Sequence, residues 1–416
     1  MKMNLTSKLE AYFPRNVFDL LKQAGSLAES LKNDLYLVGG VVRDLLLERA
    51  NLDLDLVVEG DAIQLARSLA DKNKVKLVIH SRFGTAKLHF EDFNLDIATA
   101  RKEVYIRPGA LPDVQPGTIA EDLFRRDFSI NAMALFLNSK KFGEVIDLYN
   151  GRKDINNCRI RILHSDSFKE DATRIFRAFR YEQRLGFCLE RSTSELIKRD
   201  AAMIKTISGD RLRHELMLIL KEEYPEKCLR RLDQFTILKE LQDSLRGDKW
   251  LNEKFGEARQ LNKISSLTAV YLCLLVYRLT QSENEQLLQH LNFPKTLADA
   301  MCQALTLKAR LVDLQKQEMS NNEIYKLLIN FAVPAVEANM VASQMNIVKQ
   351  RILLYLTELR IKKPLLNGER LKQLGVPQGP ELGRLLSLLL EKKLDEQVRS
   401  KSDEEKFVLA WLKKQY

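Results

Sequence analysis

Apolar and polar residues alternate in short blocks through the first 151 residues of the chain. Seven runs rich in Val, Ile, Leu and Phe are typical of β-strands or buried segments: LYLVGG, DLDLVVEG, KVKLVIH, AKLHF, FNLDIATA, INAMALFL and FGEVIDLY. Between them, VVRDLLLERA and DAIQLARSLADKN have apolar residues at the spacing of a helix. We therefore predict a mixed β-sheet with helices packed on it.

The pattern changes after Gly151, where apolar residues recur three and four positions apart almost without interruption. Residues 152–366 contain only four glycines and four prolines, so few breaks are expected in these helices. Near the end, LLNGERLKQLGVPQGPELGRLLSLLLEKKL indicates two helices separated by a Gly/Pro turn. The predicted fold class is therefore α+β, with a mixed-sheet N-terminal part followed by an all-α remainder.

No segment has the pattern of a membrane helix. The longest apolar run, Leu267–Tyr277, is about half of the roughly 20 residues that such a helix needs, and we expect it to be a buried core helix. The N-terminal residues lack the apolar stretch of a signal peptide. The five cysteines are scattered without a C-x-x-C pair, which indicates reduced thiols. These features predict a cytoplasmic, soluble protein.

The excess of basic over acidic residues indicates which class of partner to expect. The chain has 416 residues, of which 45% are hydrophobic and 29% charged, so it is long enough for about two to four globular domains. Its formal net charge of +10 favours a polyanionic partner. A basic housekeeping protein without such a partner fits the charge equally well.

Asp53 and Asp55 interrupt an otherwise apolar predicted strand. Residues i and i+2 of a strand point to the same face, so these carboxylates would lie side by side and repel each other unless a cation is present. Such oxygen ligands suit Mg²⁺ bound together with substrate phosphates. Asp96, on another predicted strand, is a candidate third ligand. The alternative is a solvated edge strand whose polar residues face water.

Two neighbouring segments have features of a phosphate site. Gly39 and Gly40 allow close approach of the backbone to a phosphate, and the predicted helix N-terminus after them favours an anion. Arg43 adds a donor on the first turn of that helix. Downstream, Arg125 and Arg126 are suited to clamping a triphosphate through paired hydrogen bonds. The alternatives are a tight turn with a surface arginine and a structural ion pair.

At these residues the sequence resembles the class II tRNA nucleotidyltransferases, which build or repair the CCA end of tRNA, and their bacterial poly(A) polymerase relatives. Five motifs follow in family order: GGVVRD with DLD, RRDFSINAMA, DLYNG, EDATR continuing into IFRAFR, and SGDRLRHEL. The terminal NGERLKQLGVPQGPELGRLL also resembles the family's tail. One departure is Glu48, where the family often has glycine, and we expect only a local loop change.

The resemblance implies a domain order and a reaction. A polymerase-β-like nucleotidyltransferase head would span 1–152, followed by an all-α neck at 153–222, a body at 223–316 and a tail at 317–416. Asp53 and Asp55 would hold Mg²⁺ while the 3′ hydroxyl of tRNA attacks the α-phosphate of CTP or ATP and pyrophosphate leaves. We expect nucleotide contacts at Gly39, Gly40, Arg43, Arg125, Arg126, Asp171, Arg174, Arg177 and Arg180.

Asp171 and Arg174 suggest how a base could be chosen without a template. We predict that they are neighbours on a helix, three residues apart. An aspartate accepts hydrogen bonds and an arginine donates them, and cytosine and adenine each present an amino donor beside a ring acceptor. Guanine and uracil present the reverse order, so this pair would admit C and A only. The alternative is a surface ion pair.

Arg177 and Arg180 continue the motif at three-residue steps. Each step drifts by about 60° around a helix, so the arginines cannot all share one face. We expect Arg177 in the nucleotide site, whereas Arg180 either reaches it through its length or simply fixes the helix.

Residues 100–118 contain three prolines and predict an adaptable loop. By resemblance, CC-only family members lack this loop, which argues against that subtype. Full CCA addition is the main prediction, with A-only addition or poly(A) synthesis as alternatives. The segment TISGDRLRHEL lacks the proline of poly(A) polymerases, and no long basic tail follows, so poly(A) synthesis is disfavoured. A non-catalytic RNA-binding protein is the alternative of another class.

The helical remainder is expected to recognise a folded tRNA by its shape and phosphates. Candidate basic patches are Lys227–Arg231, Arg360–Lys363 and Lys413–Lys414. Taken singly, each patch is more typical of an ordinary solvated helix face.

Overall fold

The chain folds into two compact units. The computed structural model describes residues 3–81, 84–105, 107–110, 112–261 and 265–415. The first unit consists of Met1–Glu222 with Gln234–Glu240, and the second of Glu223–Asp233 with Leu241–Tyr416.

The first unit is built on a mixed sheet. Its strands are β1 (Asp34–Val38), β2 (Asp53–Glu59), β3 (Lys76–His80), β4 (Thr85–His89), β5 (Asn94–Thr99), β6 (Arg101–Val104), β7 (Asp113–Pro116), β8 (Ala134–Phe136), β9 (Val145–Ile146), β10 (Arg159–Ile160) and β11 (Cys188–Leu189). Seven of them form one sheet in the order β3-β4-β5-β2-β1-β8-β9. Only β2 and β5 are parallel neighbours in this sheet.

Helices pack against this sheet and continue beyond it. Those of the first unit are α1 (Thr6–Tyr12), α2 (Arg15–Ser30), α3 (Gly40–Leu47), α4 (Ala62–Asn73), α5 (Ile119–Phe124), α6 (Gly151–Asn156), α7 (Ser167–Glu170), α8 (Thr173–Leu185), α9 (Arg191–Asp200) and α10 (Gly209–Leu220). A buried apolar cluster that includes Tyr36, Val57 and Leu123 joins the sheet to α5. This cluster fixes the sheet surface from which the site residues project.

Strand β2 lies in the interior of the sheet, between β1 and β5. Its side chains alternate as expected, because Leu54 and Leu56 are buried whereas Asp53 and Asp55 point to the more exposed face. The carboxylate pair therefore projects from a central strand, and the alternative of a solvated edge strand is wrong.

The seven runs predicted as strands are the seven strands of the main sheet. Two features differ from the predictions. The predicted loop at 100–118 contains the antiparallel hairpin β6–β7, while its residues 106 and 111 lie outside the described part of the chain. The short parallel pair β10–β11 lies in the segment predicted to be helical. Two-residue strands leave too little alternation to be seen against a helical pattern.

The second unit consists of helices joined by loops, with no strand among its described residues. Its helices are α11 (Pro225–Gln234), α12 (Ile237–Leu241), which is shared with the first unit, α13 (Lys249–Gln260), α14 (Leu267–Val276), α15 (Gln281–Leu291), α16 (Lys295–Arg310), α17 (Asn321–Leu328), α18 (Val333–Ala342), α19 (Asn346–Thr357), α20 (Gly368–Gln373), α21 (Pro380–Leu394) and α22 (Lys401–Gln415). Helices α20 and α21 are the two helices predicted on either side of the Gly/Pro turn.

Helix α14 is buried over most of its length, from Ala269 to Val276, as predicted for a core helix. Among the described residues, no single helix has both the length and the apolar character needed to cross a membrane. The bent pair α17 and α18 meets that test jointly, by length and composition alone.

Candidate active site

A cleft of about 960 Å³ opens in the first unit, above the face of the sheet that carries Asp53 and Asp55. The turn between β1 and α3, the strands β2 and β5, the end of α5 and the helices α8 and α10 all contribute to its walls. Of the residues predicted for the site, eleven line this cleft: Gly39, Gly40, Arg43, Asp53, Asp55, Asp96, Arg125, Arg126, Asp171, Arg174 and Arg177. Arg180 is the exception.

The carboxylates of Asp53 and Asp55 crowd each other in this cleft. Burial and, to a lesser extent, the neighbouring Asp53 raise the pKa of the Asp55 carboxyl to about 6, against the opposing effect of Arg126. Two adjacent oxygen donors with excess negative charge are the ligands that a hard divalent cation prefers. The residues present therefore fit a metal ion.

Asp96 sits beside Asp55 in the register of β2 and β5, but its carboxylate pairs with Nζ of Lys87 at 3.0 Å. Across the described part of the chain, no group of three His, Cys, Asp or Glu side chains is arranged to hold a metal ion. The geometry thus favours a site made by Asp53 and Asp55, and it gives the predicted third ligand no support.

The glycine turn brings the arginine clamp close to these carboxylates. Gly39 has φ of +79°, a left-handed conformation that favours glycine. A Cβ atom at Gly39 would lie 2.9 Å from Nη1 of Arg126 and 3.7 Å from Oδ2 of Asp55. The missing side chain therefore leaves room for Arg126 beside the carboxylates. Gly40 begins α3, whose N-terminus faces the cleft.

A single buried carboxylate holds both arginines of the predicted clamp. Oδ1 of Asp122 accepts hydrogen bonds from Nε and Nη2 of Arg125 at 2.9 and 2.6 Å. Oδ2 of Asp122 accepts from Nε and Nη2 of Arg126 at 3.2 and 2.9 Å. Burial alone would raise the pKa of Asp122, but Arg126 and Arg125 outweigh it and lower that pKa. Nη1 of Arg125 also donates to Glu103 on β6 at 3.2 Å.

Arg43 is more deeply buried than a simple phosphate contact requires, with 5% of its surface exposed. Its guanidinium donates to both oxygens of Asp44, at 2.9 and 2.8 Å, and to Oδ1 of Asn131 at 2.6 Å. It also lies 5.3 Å from the ring centre of Tyr181. Arg43 still lines the cleft, but its orientation is set by these protein partners.

The predicted neighbours Asp171 and Arg174 are not on the same helix. Helix α8 begins at Thr173, and Asp171 has an extended backbone with φ of −144° and ψ of 95°. Its Oδ1 accepts from the backbone nitrogen and the hydroxyl of Thr173, at 3.0 and 2.6 Å, while its Oδ2 accepts from Nη2 of Arg211 at 2.7 Å. The expectation of an i,i+3 pair within one helix is therefore wrong.

Arg174 is held at the cleft by other partners than those of Asp171. Its Nη2 donates to the main-chain oxygen of Arg125 at 2.7 Å, and its Nη1 donates to the main-chain oxygen of Ser167 at 3.3 Å. It forms an ion pair of 3.6 Å with Glu170. Asp171 and Arg174 nevertheless line the same cleft, so a donor and an acceptor face one space.

The two later arginines of α8 separate as the helical drift predicts. Arg177 donates to Oδ2 of Asp127 through Nε and Nη2, at 2.9 and 2.6 Å, and lines the cleft. Arg180 is 6% exposed, lies outside the lining, and pairs with Glu215 at 3.5 Å and Glu222 at 3.8 Å. Its position is that of a residue that fixes the helix, and a direct nucleotide contact finds no support.

Three cleft residues escaped the sequence reasoning, Asn131, Tyr181 and Arg211, and so did Asp122, which supports the arginine clamp. A partial signal existed for three of them. Asp122 precedes Arg126 by one helical turn, Asn131 belongs to the RRDFSINAMA motif and Arg211 belongs to the SGDRLRHEL motif. The contacts of Asn131 and Tyr181 with Arg43 could not be predicted, because they join distant segments.

The mixed sheet, the glycine turn, the carboxylate pair and the arginine clamp define the head of a nucleotidyltransferase. Residues 35–161 match the family model described as the poly A polymerase head domain. Residues 186–246 match a model of the RNA-binding region of polymerase A, and residues 262–411 match a model of tRNA nucleotidyltransferase domain 2. The chain belongs to the tRNA nucleotidyltransferase family that also includes the poly(A) polymerases.

Individual relatives agree with this assignment. An A-adding tRNA nucleotidyltransferase of Halalkalibacterium halodurans is 30% identical over 96% of this chain and 94% of its own length. One of Geobacter sulfurreducens is 32% identical over 95% of this chain but only 47% of its own length. The solved Thermotoga maritima CCA-adding enzyme complexed with tRNA has a TM-score of 0.77 and 30% identity, with 99% of both chains covered.

The family resemblance predicted from the sequence is thus confirmed, together with the α+β fold class. The chain spans about half the length of the Geobacter relative. Membership of this nucleotidyltransferase family implies dependence on a divalent metal ion.

Proposed function

We propose that this chain is a template-independent tRNA nucleotidyltransferase that adds or repairs the 3′-terminal CCA of tRNA from CTP and ATP, with Mg²⁺ as its cofactor. One observation carries the proposal. A single cleft holds a carboxylate pair suited to a metal, an arginine clamp suited to phosphates, and a separate donor and acceptor suited to a base edge. Three requirements of nucleotidyl transfer are therefore met in one place.

At the phosphate end, Asp53 and Asp55 would hold Mg²⁺ and Arg126 would contact the triphosphate. When bound, Mg²⁺ supplies charge neutralisation for the triphosphate and orientation for the attacking 3′ hydroxyl. Arg126 is oriented beside the carboxylates because Asp122 accepts hydrogen bonds from two of its nitrogens. Its third nitrogen, Nη1, faces Gly39. Preorganised donors of this kind stabilise charge that develops on phosphate oxygens without reorganising.

At the other end, Asp171 and Arg174 would read the base. The carboxylate of Asp171 can accept from the amino group of cytosine or adenine, and the guanidinium of Arg174 can donate to the adjacent ring nitrogen. A guanine or uracil edge would set donor against donor, which costs binding because the opposed groups lose their hydrogen-bond partners. The head, neck, body and tail division at 1–152, 153–222, 223–316 and 317–416 is part of the same proposal.

The helical second unit would supply the surface for the folded tRNA. The net charge of +10 supports a polyanionic partner, and shape and phosphate contacts are the usual means of recognising a structured RNA. We extend the proposal to the cytoplasm, which the tRNA and nucleotide substrates and a sequence of scattered cysteines without a C-x-x-C pair support.

Addition of the terminal A alone is the second candidate. The two relatives described above, which match nearly the whole of this chain, are both named A-adding enzymes. The Asp171 and Arg174 geometry accepts A as readily as C, so it does not favour either subtype.

One incubation distinguishes these outputs. tRNA transcripts that lack one, two or three terminal nucleotides are mixed with the protein, Mg²⁺ and one labelled nucleoside triphosphate at a time. CCA addition requires incorporation of CTP into the two shorter transcripts and incorporation of one A into the transcript that ends in CC. Incorporation of one A only into tRNA ending in CC would establish the A-adding subtype. Long A tails would indicate poly(A) synthesis, and no incorporation at all would overturn the proposal in favour of a non-catalytic RNA-binding protein.

A further inference from the structure

An unbroken chain of hydrogen bonds runs from helix α8 to the strand that carries the carboxylate pair. Arg177 donates to Oδ2 of Asp127, and Nδ2 of Asn131 donates to Oδ1 of the same carboxylate at 3.0 Å. Oδ1 of Asn131 in turn accepts from Nη1 of Arg43 at 2.6 Å. The chain thus passes from α8 to α3 through the segment that follows α5.

The second half of the chain ends at the backbone of Asp53. Arg43 donates to both oxygens of Asp44, and Nδ2 of Asn51 donates to Oδ2 of Asp44 at 2.7 Å. Oδ1 of Asn51 accepts from the backbone nitrogen of Asp53 at 2.8 Å. All these distances lie in the range of well-formed hydrogen bonds.

Each of the two asparagines occupies a position that needs a side chain able both to donate and to accept a hydrogen bond. Asn131 must accept from an arginine on one side and donate to a carboxylate on the other. Asn51 must donate to a carboxylate and accept from a backbone N–H. Only a side chain with both a donor and an acceptor can do this, because arginine cannot accept and a carboxylate cannot donate.

Burial makes this arrangement rigid. The exposed fractions of Arg43, Asp44, Asp127 and Asn131 are 5%, 8%, 7% and 6%. Burial alone would raise the pKa of the Asp127 carboxyl, but Arg177 and Asn131 outweigh it and lower that pKa. Buried polar networks in which the members satisfy one another hold a unique geometry, since a broken link leaves a buried group without a partner.

We propose that Asn131 and Asn51 are positioning residues of the transfer reaction. They hold Asp53 in a fixed relation to α8, the helix that begins at the base-reading end of the cleft. This inference rests on the proposed function, because it takes Asp53 as a metal ligand and Arg174 on α8 as a reader of the base. Groups that orient a metal ligand change metal affinity or activity by about 10–100-fold when they are removed.

The first test measures metal binding without catalysis. Mn²⁺ alone is titrated into the full chain, and free Mn²⁺ is followed by electron paramagnetic resonance. Asn51→Ala is expected to weaken Mn²⁺ binding by about tenfold. Asn131→Leu is expected to weaken it by about threefold or more, because Asn131 acts on Asp53 only through the intervening hydrogen bonds. Asn51→Ser should recover part of the affinity, since a serine hydroxyl can also accept from the backbone N–H two residues on.

Asn138 provides the matched control. It is also buried, at 5% exposure, and it also donates to a main-chain oxygen and accepts from a main-chain nitrogen, those of Asn33 and Leu35. It lies outside the cleft lining. Asn138→Leu should lower the melting temperature without changing Mn²⁺ affinity, whereas a purely structural role for Asn131 would make the two variants behave alike.

The second test asks whether the two asparagines act through one chain of hydrogen bonds. For labelled CTP and ATP, each single variant should lower kcat by about tenfold with little change in KM. The kcat of the double variant should be no lower than that of the more impaired single variant. Losses that multiply would overturn the coupling, because independent sites give additive free energies.

The outcomes separate the two proposals. A wild-type chain that binds Mn²⁺ but transfers no nucleotide to any tRNA refutes the proposed function and leaves the metal titration to decide the positioning role. Unchanged Mn²⁺ affinity in Asn51→Ala overturns the positioning role even where Asn131→Leu does not fold, since Asn51 is only half-buried on a loop.

Discussion

The two ends of the cleft are supported in different ways. At the phosphate end, Arg125 and Arg126 are both held by Asp122, which lies within four residues of them on the same short segment. At the base end, Asp171 is held by Arg211, forty residues further along the chain. The proposed phosphate clamp is thus a local structure, whereas the proposed base-reading end is assembled from separate helices. A local support survives changes in helix packing, and an assembled one depends on it.

Removal of a metal ligand should give the largest effect, at the phosphate end. Asp53→Ala is expected to lower nucleotide incorporation by about 10³-fold or more, because the metal contributes several kcal/mol of charge stabilisation. tRNA affinity, measured by filter binding, should stay within about twofold, as expected for a site without phosphate-backbone contacts. Asp96→Ala is the matched control. Equal losses of nucleotide incorporation in Asp53→Ala and Asp96→Ala would indicate that Asp96 is also a metal ligand.

Removal of Asp122 should come second, because it releases both arginines of the clamp at once. Asp122→Ala is expected to lower the free energy of unfolding by about 3–5 kcal/mol and kcat/KM for the nucleotide by about 10²-fold. Urea denaturation and steady-state kinetics measure the two effects. Asp200→Ala removes a similarly buried, arginine-paired acid outside the cleft. If this control lost as much kcat/KM, the clamp would have no special part in nucleotide binding.

At the base end, Asp171→Ala should change selectivity more than rate. Its loss removes the acceptor for the amino group, so the preference for C and A over G and U should fall by about 10²-fold. Competition between labelled nucleotides measures this ratio. Inhibition by inorganic tripolyphosphate should stay close to that of the unaltered chain, because the clamp is intact. Full C and A selectivity in this variant would remove Asp171 from base reading.

Arg211→Ala should have a smaller effect of the same kind. The carboxylate of Asp171 would lose its partner at Oδ2 but keep both bonds from Thr173 at Oδ1. Selectivity is therefore expected to fall by about tenfold, the value of one charge-assisted hydrogen bond. The same competition assay applies. A loss as large as that of Asp171→Ala would mean that Thr173 does not hold the carboxylate.

The smallest effect on nucleotide binding is expected at Arg180. Arg180→Gln should change KM for either nucleotide by less than about twofold, because the side chain lies outside the cleft and acts at a distance. It should lower the free energy of unfolding by about 1–3 kcal/mol through its lost contacts with Glu215 and Glu222. Arg177→Gln, one turn earlier on α8, should raise KM clearly. Similar KM values for both variants would return Arg180 to the nucleotide site.

The local nature of the proposed phosphate end explains why its backbone geometry could be predicted from the sequence. The alternation of Leu54 and Leu56 with Asp53 and Asp55 places both carboxylates on one face, whatever surrounds the strand. The turn at Gly39 is equally local, since its positive φ is a property of one residue. Local stereochemistry was sufficient in both cases.

The base end shows what the sequence could not supply. Asp171 was predicted to lie on the helix of Arg174, but its side chain bonds the backbone of Thr173, and such bonds compete with helical ones. The contact with Arg211 depends on how α8 and α10 pack, which no local pattern specifies. The same is true of Asn131 and Tyr181, whose partners are far away in sequence.

The hydrogen bond from Arg174 to the main-chain oxygen of Arg125 fixes the distance between two parts of the cleft wall. The side chain proposed to read the base is thereby joined to the backbone beside the proposed triphosphate clamp, so the distance between them is fixed. A purine edge lies further from its sugar than a pyrimidine edge. An enzyme that accepts both would have to absorb this difference in the torsions of the nucleotide, or in a wall that the bond does not restrain, such as the hairpin β6–β7.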